Sequence, residues 1–435
     1  MKVSSSPSMM TSTQGAGGTA RPAAAAEDFK DANSVQRAIC ERTVELVVAE
    51  CGGDIKAIIL TGSLARQEGT FVYESGGWQQ FGDAEFLLVF EERAALPLNE
   101  NLLNLQRAVE SELLTRGLQC KISLAAVHPK YLRQLRPHIF AYELLTHGRV
   151  LWGEPVLSSI PRFLPTAIPL EDAWRLLCNR MIELLEVSVG ITDELREVPK
   201  EAFYQSVKLY IDMGTSFLVF ARGYEPTYAC RAEKMRSLQM QSSTANDCPL
   251  NLARFAERVV ACTQYKLSGA DRLQLPDLHE QPSSLALWQE VIADAHSLWR
   301  WELSQLTGTK VTLTDRELLK RWMRQQPVKE RLRGWLFVLR REGWQRSWRK
   351  WIGWARCTLR GSPRYCVYAA ASQLLFNMPT LVAEGPKTGA EENAIRKLLS
   401  WLPARCATPP AAPDWRQVAA EIVWNYHMFL AGTRS

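Results

Sequence analysis

Ile58-Ile59-Leu60-Thr61-Gly62-Ser63-Leu64-Ala65-Arg66-Gln67-Glu68-Gly69, followed by Phe81-Gly82-Asp83-Ala84-Glu85-Phe86-Leu87-Leu88-Val89-Phe90, is the stretch on which the fold turns. The first run is an apolar strand that ends in Gly-Ser, with a helix expected from Leu64. Such a turn gathers backbone N–H groups where a phosphate can approach, because Gly62 has no Cβ to hold it off and Ser63 adds a hydroxyl. The second run reads as another strand, and strand side chains alternate between faces. Asp83 and Glu85 therefore share one face, while Ala84 and Phe86 turn into packing. Two carboxylates side by side suit Mg2+, which takes oxygen ligands at roughly 2.0–2.1 Å and completes its shell with waters and substrate phosphates.

Outward from this pair, strands and helices alternate. The segment from Gly69 to Phe81 carries Phe71-Val72-Tyr73, Gly76-Gly77 and Trp78-Gln79-Gln80, and reads as a hairpin inserted in a surface connection. Upstream, Asn33-Ser34 is expected to cap a helix running through Val47, followed by a strand from Ile55 to Leu60. Downstream, Leu102 to Thr115 reads as a helix ended by Gly117, and Gln119 to Val127 as a further strand. Pro155, Pro161, Pro165 and Pro169 mark a linker, after which apolar residues recur at helical spacing almost to the end. The expected fold class is α+β: an N-terminal α/β domain with a small mixed sheet, then a larger all-helical C-terminal region. The expected divisions are a disordered tail over 1–28, the α/β domain over 29–155, a helical domain closing a cleft over 168–310, and a basic Trp/Arg-rich helical region over 311–435.

Taken in order, Thr61-Gly62-Ser63 and Asp83-Ala84-Glu85 resemble the paired motifs of the DNA polymerase β-like nucleotidyltransferase superfamily. Tyr142-Glu143-Leu144-Leu145-Thr146-His147-Gly148-Arg149-Val150-Leu151-Trp152-Gly153 is similar to the stretch that closes this domain in small two-domain members such as the antibiotic nucleotidyltransferases. The resemblance covers residues 33 to about 240 and implies Mg2+ at Asp83 and Glu85. It also implies an NTP, ATP by preference, whose phosphates lie on Gly62 and Ser63 with Arg66 as a further contact, and an acceptor of unknown identity. In the superfamily a helix of the second domain brings a lysine to the triphosphate, and Lys208 stands on such a helix. Read by itself, Lys208 is one turn from Asp212 on a helix over Ala202 to Ala221, where an intrahelical ion pair accounts for it equally well.

The chain departs from the superfamily in two ways. The connection between the motifs is longer than usual. The strand from Gln119 to Val127, where a third carboxylate is expected to activate the attacking hydroxyl, contains no acid, so a substitute base is sought among Glu68, Glu74 and Glu143. Further on, Arg231 and Lys234 either face acceptor or nucleotide or lie on a solvated helix face, and the second reading is preferred.

Composition limits the remaining choices. The 435 residues, 46% of them hydrophobic, supply more than one core. The 10 cysteines include no Cys-x-x-Cys pair, no Walker A or dinucleotide fingerprint is present, and the histidines lack metal spacing. A cytoplasmic protein is expected, and no stretch reads as a membrane-spanning helix. Between Leu319 and Arg364 stand 14 Lys and Arg against two Glu, net +12 in a chain of net +6, so charge is concentrated there. Trp344, Trp348 and Trp351 fall on one stripe within it, which suits core packing, peripheral attachment to an anionic membrane surface, or, less well, nucleic acid. Two functions follow: a Mg2+-dependent nucleotidyltransferase acting on a hydroxyl, or an inactive adaptor that keeps this fold and docks through residues 319–364.

Overall fold

The computed structural model describes residues 29–192, 197–240, 249–268, 283–309, 312–342, 361–384, 389–403 and 414–430. The tail, most of the loop segments after residues 240 and 268, and the Trp344–Trp348–Trp351 stripe lie outside the described residues.

The N-terminal part is a five-stranded sheet with helices on both faces. Helix α1 (Ala32–Cys51) is capped by Asp31, two positions before the Asn33-Ser34 pair that the sequence suggested. The Asp31 carboxylate accepts from the Ser34 amide at 2.8 Å, and Ser34 becomes the third residue of the helix. Strand β1 (Ile55–Thr61) runs into α2 (Gly62–Ala65), which is a single turn and not the longer helix expected from Leu64. Gln67 takes a left-handed φ of 60°, which ends the helix and turns the chain into the hairpin β2 (Thr70–Glu74) and β3 (Gly77–Phe90). Then come α3 (Asn99–Thr115), β4 (Leu118–Val127), α4 (Pro129–Arg133), α5 (Ile139–His147) and β5 (Arg149–Gly153).

Strand β3 organises the sheet. Its first half pairs antiparallel with β2 and its second half antiparallel with β1, while β4 lies parallel along its other side and β5 extends the sheet beyond β1. The sheet is therefore mixed. One face, with Ala84, Phe86 and Leu88, packs on α1 and α3; the other carries Leu87 and Val89 under α5. Asp83 and Glu85 continue that second face beyond its apolar cover.

The rest of the described chain is helical: α6 (Leu170–Ser188), α7 (Lys200–Phe220), α8 (Tyr228–Met240), α9 (Leu252–Ser268), α10 (Ser284–Thr307), α11 (Asp315–Gln325), α12 (Val328–Glu342), α13 (Pro363–Glu384), α14 (Gly389–Leu398) and α15 (Trp415–Leu430). Helices on both sides of residue 310 share one apolar core. Trp174 sits inside it, with ring centroids 5.8 Å from Trp322 and Tyr365 and 5.7 Å from Tyr368. Contrary to the sequence expectation, one helix, α13, is long and apolar enough to cross a membrane; 61% of its apolar window is buried inside the fold. In the basic region α11 buries Leu318, Leu319, Trp322 and Met323, whereas α12 exposes Val328, Leu332 and Leu336.

The hairpin is not a loose surface insertion. Val72 belongs to the helical core, Phe81 lies 5.5 Å from the Tyr204 ring, and Thr70 is buried against α9. It is the wedge that sets the sheet against the helices and leaves a cleft beside the acids.

Candidate active site

The cleft is a cavity of about 1070 Å³ lined from both parts of the molecule. From the sheet come Gly62 and Ser63 at the end of β1, Asp83 and Glu85 on β3, and Lys121 on β4. Across from them stand Arg180 and Glu183 of α6, Tyr204 and Lys208 of α7, Tyr228 of α8, Lys266 of α9, and Tyr426 and His427 of α15. All six residues picked out from the sequence, Gly62, Ser63, Arg66, Asp83, Glu85 and Lys208, lie on this one cavity.

The acids owe their orientation to a break in the ladder between β3 and β4. Register shifts between Gln79 and Asp83, where Gly82 has φ +100°, a bulge that re-aims the strand as it enters the site. Asp83 is exposed to the cavity, and Glu85 is partly covered, with its Oε2 3.5 Å from the Thr61 hydroxyl. Burial raises the Glu85 carboxyl above the usual carboxylate range, and the neighbouring Asp83 charge adds to the shift. Neither acid makes an ion pair among the described residues. Two adjacent carboxylates, one of them strained by burial and like charge, are a donor set that a hard divalent cation relieves, so the residues fit such a cation. Among the described residues no group of three His, Cys, Asp or Glu side chains could hold a metal, which leaves the remaining ligands to water and substrate.

Gly62 has φ +66°, and a Cβ built on it would lie 2.7 Å from Glu85 Oε2. The Gly-Ser turn and the acid thus pack in contact, an approach that a Cβ at Gly62 would obstruct. Arg66 does not reach into the cavity as a spare charge. Its guanidinium is held by Glu68 at 3.0 Å and by Glu143, over the Tyr228 ring at 4.8 Å. These contacts make it a buried strut on the cavity wall that joins the turn to α5 and α8.

Lys208 does not pair with Asp212. Asp212 binds Arg180 at 2.6 Å, and Lys208 reaches Glu183 at 3.8 Å, a carboxylate that Arg180 also holds. Burial, and after it the Arg180 charge, brings the Lys208 amine down to about 8. The surface ion pair is thereby excluded, and the lysine faces the acids across the cleft.

Of the three substitute bases, Glu74 lies out on the hairpin beside Lys200 at 3.5 Å, and Glu68 is buried against Arg66. Glu143 alone of these lines the cavity, but its oxygens accept from Arg66, from Arg231 at 3.1 Å and from the Tyr224 hydroxyl at 2.8 Å. At the positions in register with Asp83 and Glu85, β4 presents Lys121 and Ser123. Arg231, read from sequence as part of a solvated face, is 3% exposed and belongs to this network.

Arg180 and Lys266 were not picked out from the sequence. Each stands on a helix whose apolar spacing marks its buried side but not its distant partner: Asp212 for Arg180, 32 residues on, and Thr70 for Lys266, 196 residues away. A single basic residue on the buried side of an amphipathic helix is the available signal.

No protein-family model matches the chain, and no curated protein matches it. Among solved structures, it is similar to the crystal structure of spectinomycin adenyltransferase AAD(9) from Enterococcus faecialis with ATP and spectinomycin. Identity is 11% and the TM-score 0.35, over 60% of this chain and 98% of that one. The chemistry of the site is therefore read from its own geometry.

Proposed function

We propose that this protein is a Mg2+-dependent nucleotidyltransferase that moves a nucleoside monophosphate from an NTP, ATP by preference, to a hydroxyl of a small-molecule or protein acceptor. One observation carries the reading. Two acids without cation partners among the described residues face Lys208 and Lys266 across one cavity, with a left-handed Gly-Ser turn beside the acids. That is the charge pattern of a polyphosphate bridged to a metal.

Asp83 and Glu85 would hold the cation, which when bound neutralises phosphate oxygens and stabilises the charge that builds up in the transition state. Gly62 lets the backbone close on the phosphates, and the Ser63 hydroxyl and amide stand next to it. Lys208 supplies positive charge where pyrophosphate takes the bonding electron pair as it leaves. The walls hold the acceptor oxygen and phosphorus in line, which accounts for a large part of the rate in such transfers.

Calorimetry with ATP and Mg2+ tests this directly. Wild-type binding is expected to weaken by at least tenfold in EDTA, equivalent to about 1.4 kcal/mol, and Asp83→Asn is expected to weaken it to a similar extent with Mg2+ present, with the melting temperature unchanged. ATP affinity that is the same with Mg2+ and with EDTA, or wild-type affinity in Asp83→Asn, overturns the assignment.

A second reading has its own support. Lys121 and Ser123 occupy the strand positions where the superfamily resemblance calls for a third acid, and Glu143 is neutralised by two arginines. On this reading the fold is kept as an adaptor that docks on an anionic membrane surface or partner through residues 319–364. Such a protein shows no metal-linked ATP binding, and its pelleting with anionic liposomes would be lost when the exposed Lys320, Arg321, Arg324 and Lys329 are changed to Glu.

A further inference from the structure

Lys266 is buried without a carboxylate partner. Its Nζ donates to Thr70 Oγ1 at 3.2 Å and makes no ion pair among the described residues, although the residue is only 5% exposed. It also lines the cavity. Around it stand Lys208 on α7, Arg180 on α6, Arg66 and Glu68 from the segment after α2, and Tyr228 on α8, whose ring centroid is 5.4 Å from Nζ.

The neighbouring carboxylates are already engaged. Glu68 gives one oxygen to Arg66 and the other to the Ala229 amide, and Glu143 serves Arg66 and Arg231. Asp212 and Glu183 both hold Arg180, and Glu183 is shared with Lys208. The positive charge left over on this wall belongs to the lysines. A buried amine among cations either sheds its proton or draws in an anion. Burial, then the charges of Lys208 and Arg66, brings Lys266 down to about 7.

We propose that Lys266 completes a polyphosphate subsite: its amine and that of Lys208 grip the terminal phosphates of the nucleotide, or the departing pyrophosphate, and Lys266 takes up a proton as the anion enters. The Thr70 hydroxyl, donating to the Lys266 carbonyl at 2.7 Å and accepting from its amine, holds the side chain in place. This inference rests on the nucleotidyl-transfer reading for the identity of the ligand, but not for the existence of the subsite. Where the free amine has lost its proton, binding requires one from solvent. Affinity then falls with rising pH, approaching about tenfold per unit at full uptake of one proton.

Inorganic tripolyphosphate, titrated calorimetrically into the full chain in EDTA, is the probe, with buffers of low and high ionisation enthalpy at about pH 8 to count protons. Wild type is expected to bind with net proton uptake beyond that of Lys266→Arg, which binds with a charge that does not titrate. Lys266→Met is expected to lose about tenfold or more in affinity, the equivalent of ~1.4 kcal/mol. A folded Lys266→Met with wild-type affinity and proton count overturns the proposal. Should that variant fail to fold, Lys266→Arg decides alone: the same uptake as wild type overturns it. Wild type that ignores tripolyphosphate removes the subsite while the Asp83→Asn test stands. Tripolyphosphate binding without metal-linked ATP binding keeps the subsite and removes the transfer reading.

Discussion

At the scale of single residues, the contact between Gly62 and Glu85 matters most, because it joins the turn to an acid proposed to hold the metal. Gly62→Ala places a Cβ in a left-handed conformation, at a cost of about 1–2 kcal/mol, and pushes it against Glu85 Oε2. The carboxylate end is flexible and will swing aside. The expected result is a melting temperature lowered by a few degrees, together with metal-linked ATP binding weakened by about tenfold, as measured by calorimetry. Loss of stability alone, with binding intact, would show that the position of Glu85 is immaterial. The placement of Asp83 and Glu85 on one face was legible from alternation, since it needs only the period of a strand. The engagement of Arg66 was not. Its carboxylate Glu143 lies 77 residues on, and nothing in the local pattern reveals which arginine a distant glutamate will neutralise.

At the scale of elements, the sheet followed from apolar runs and turn residues, while the short α2 and the packed hairpin did not. Gly69-Thr70-Phe71-Val72 looks like any edge strand. Only the helical core that receives Val72 makes it structural. Helix α10 carries a second feature that sequence reading passed over. Glu302 is fully buried, its Oε1 accepts from Ser216 at 2.6 Å, and its Oε2 has no partner among the described residues, so burial pushes the carboxyl up to about 8. The folded form therefore binds a proton that the unfolded chain, titrating near the ordinary glutamate value of 4.5, gives up. Stability from this group is complete below about 4.5 and falls as pH rises toward about 8, at roughly 1.4 kcal/mol per unit. Glu302→Gln keeps the shape and removes the proton. Urea unfolding at several pH values is expected to show a shallower decline in the variant; parallel curves would mean that Glu302 is ionised in the native state.

At the scale of the whole molecule, sheet and helices are joined by the hairpin, by the apolar contact of Ile139 and Tyr142 with Val219 and Tyr224, and by the network of Arg66, Glu68, Glu143, Tyr224 and Arg231. The network is nearly dry, so removing one member leaves charge without compensation. Arg231→Met deletes the bonds to Glu143, the Tyr224 hydroxyl and the Glu225 carbonyl at once, and is expected to cost about 3–5 kcal/mol in urea unfolding. A cost below about 1 kcal/mol would mean that solvent already screens the network. The division into a sheet-bearing part and a helical part could be read from the prolines between residues 155 and 169. How the two meet could not, because the contacts join residues that helical periodicity treats as independent.

Strand β3 runs unbroken from the Ser75-Gly76 bend, where both residues take left-handed φ, through the bulge to the acids and on into the sheet interior. The exposed bend and the acid pair thus sit on one strand, on either side of the Phe81–Tyr204 contact. A dye attached at Ser75 would ride on that strand, so its fluorescence anisotropy offers an optical test of whether a ligand in the cleft is felt at the bend, without a probe among the acids.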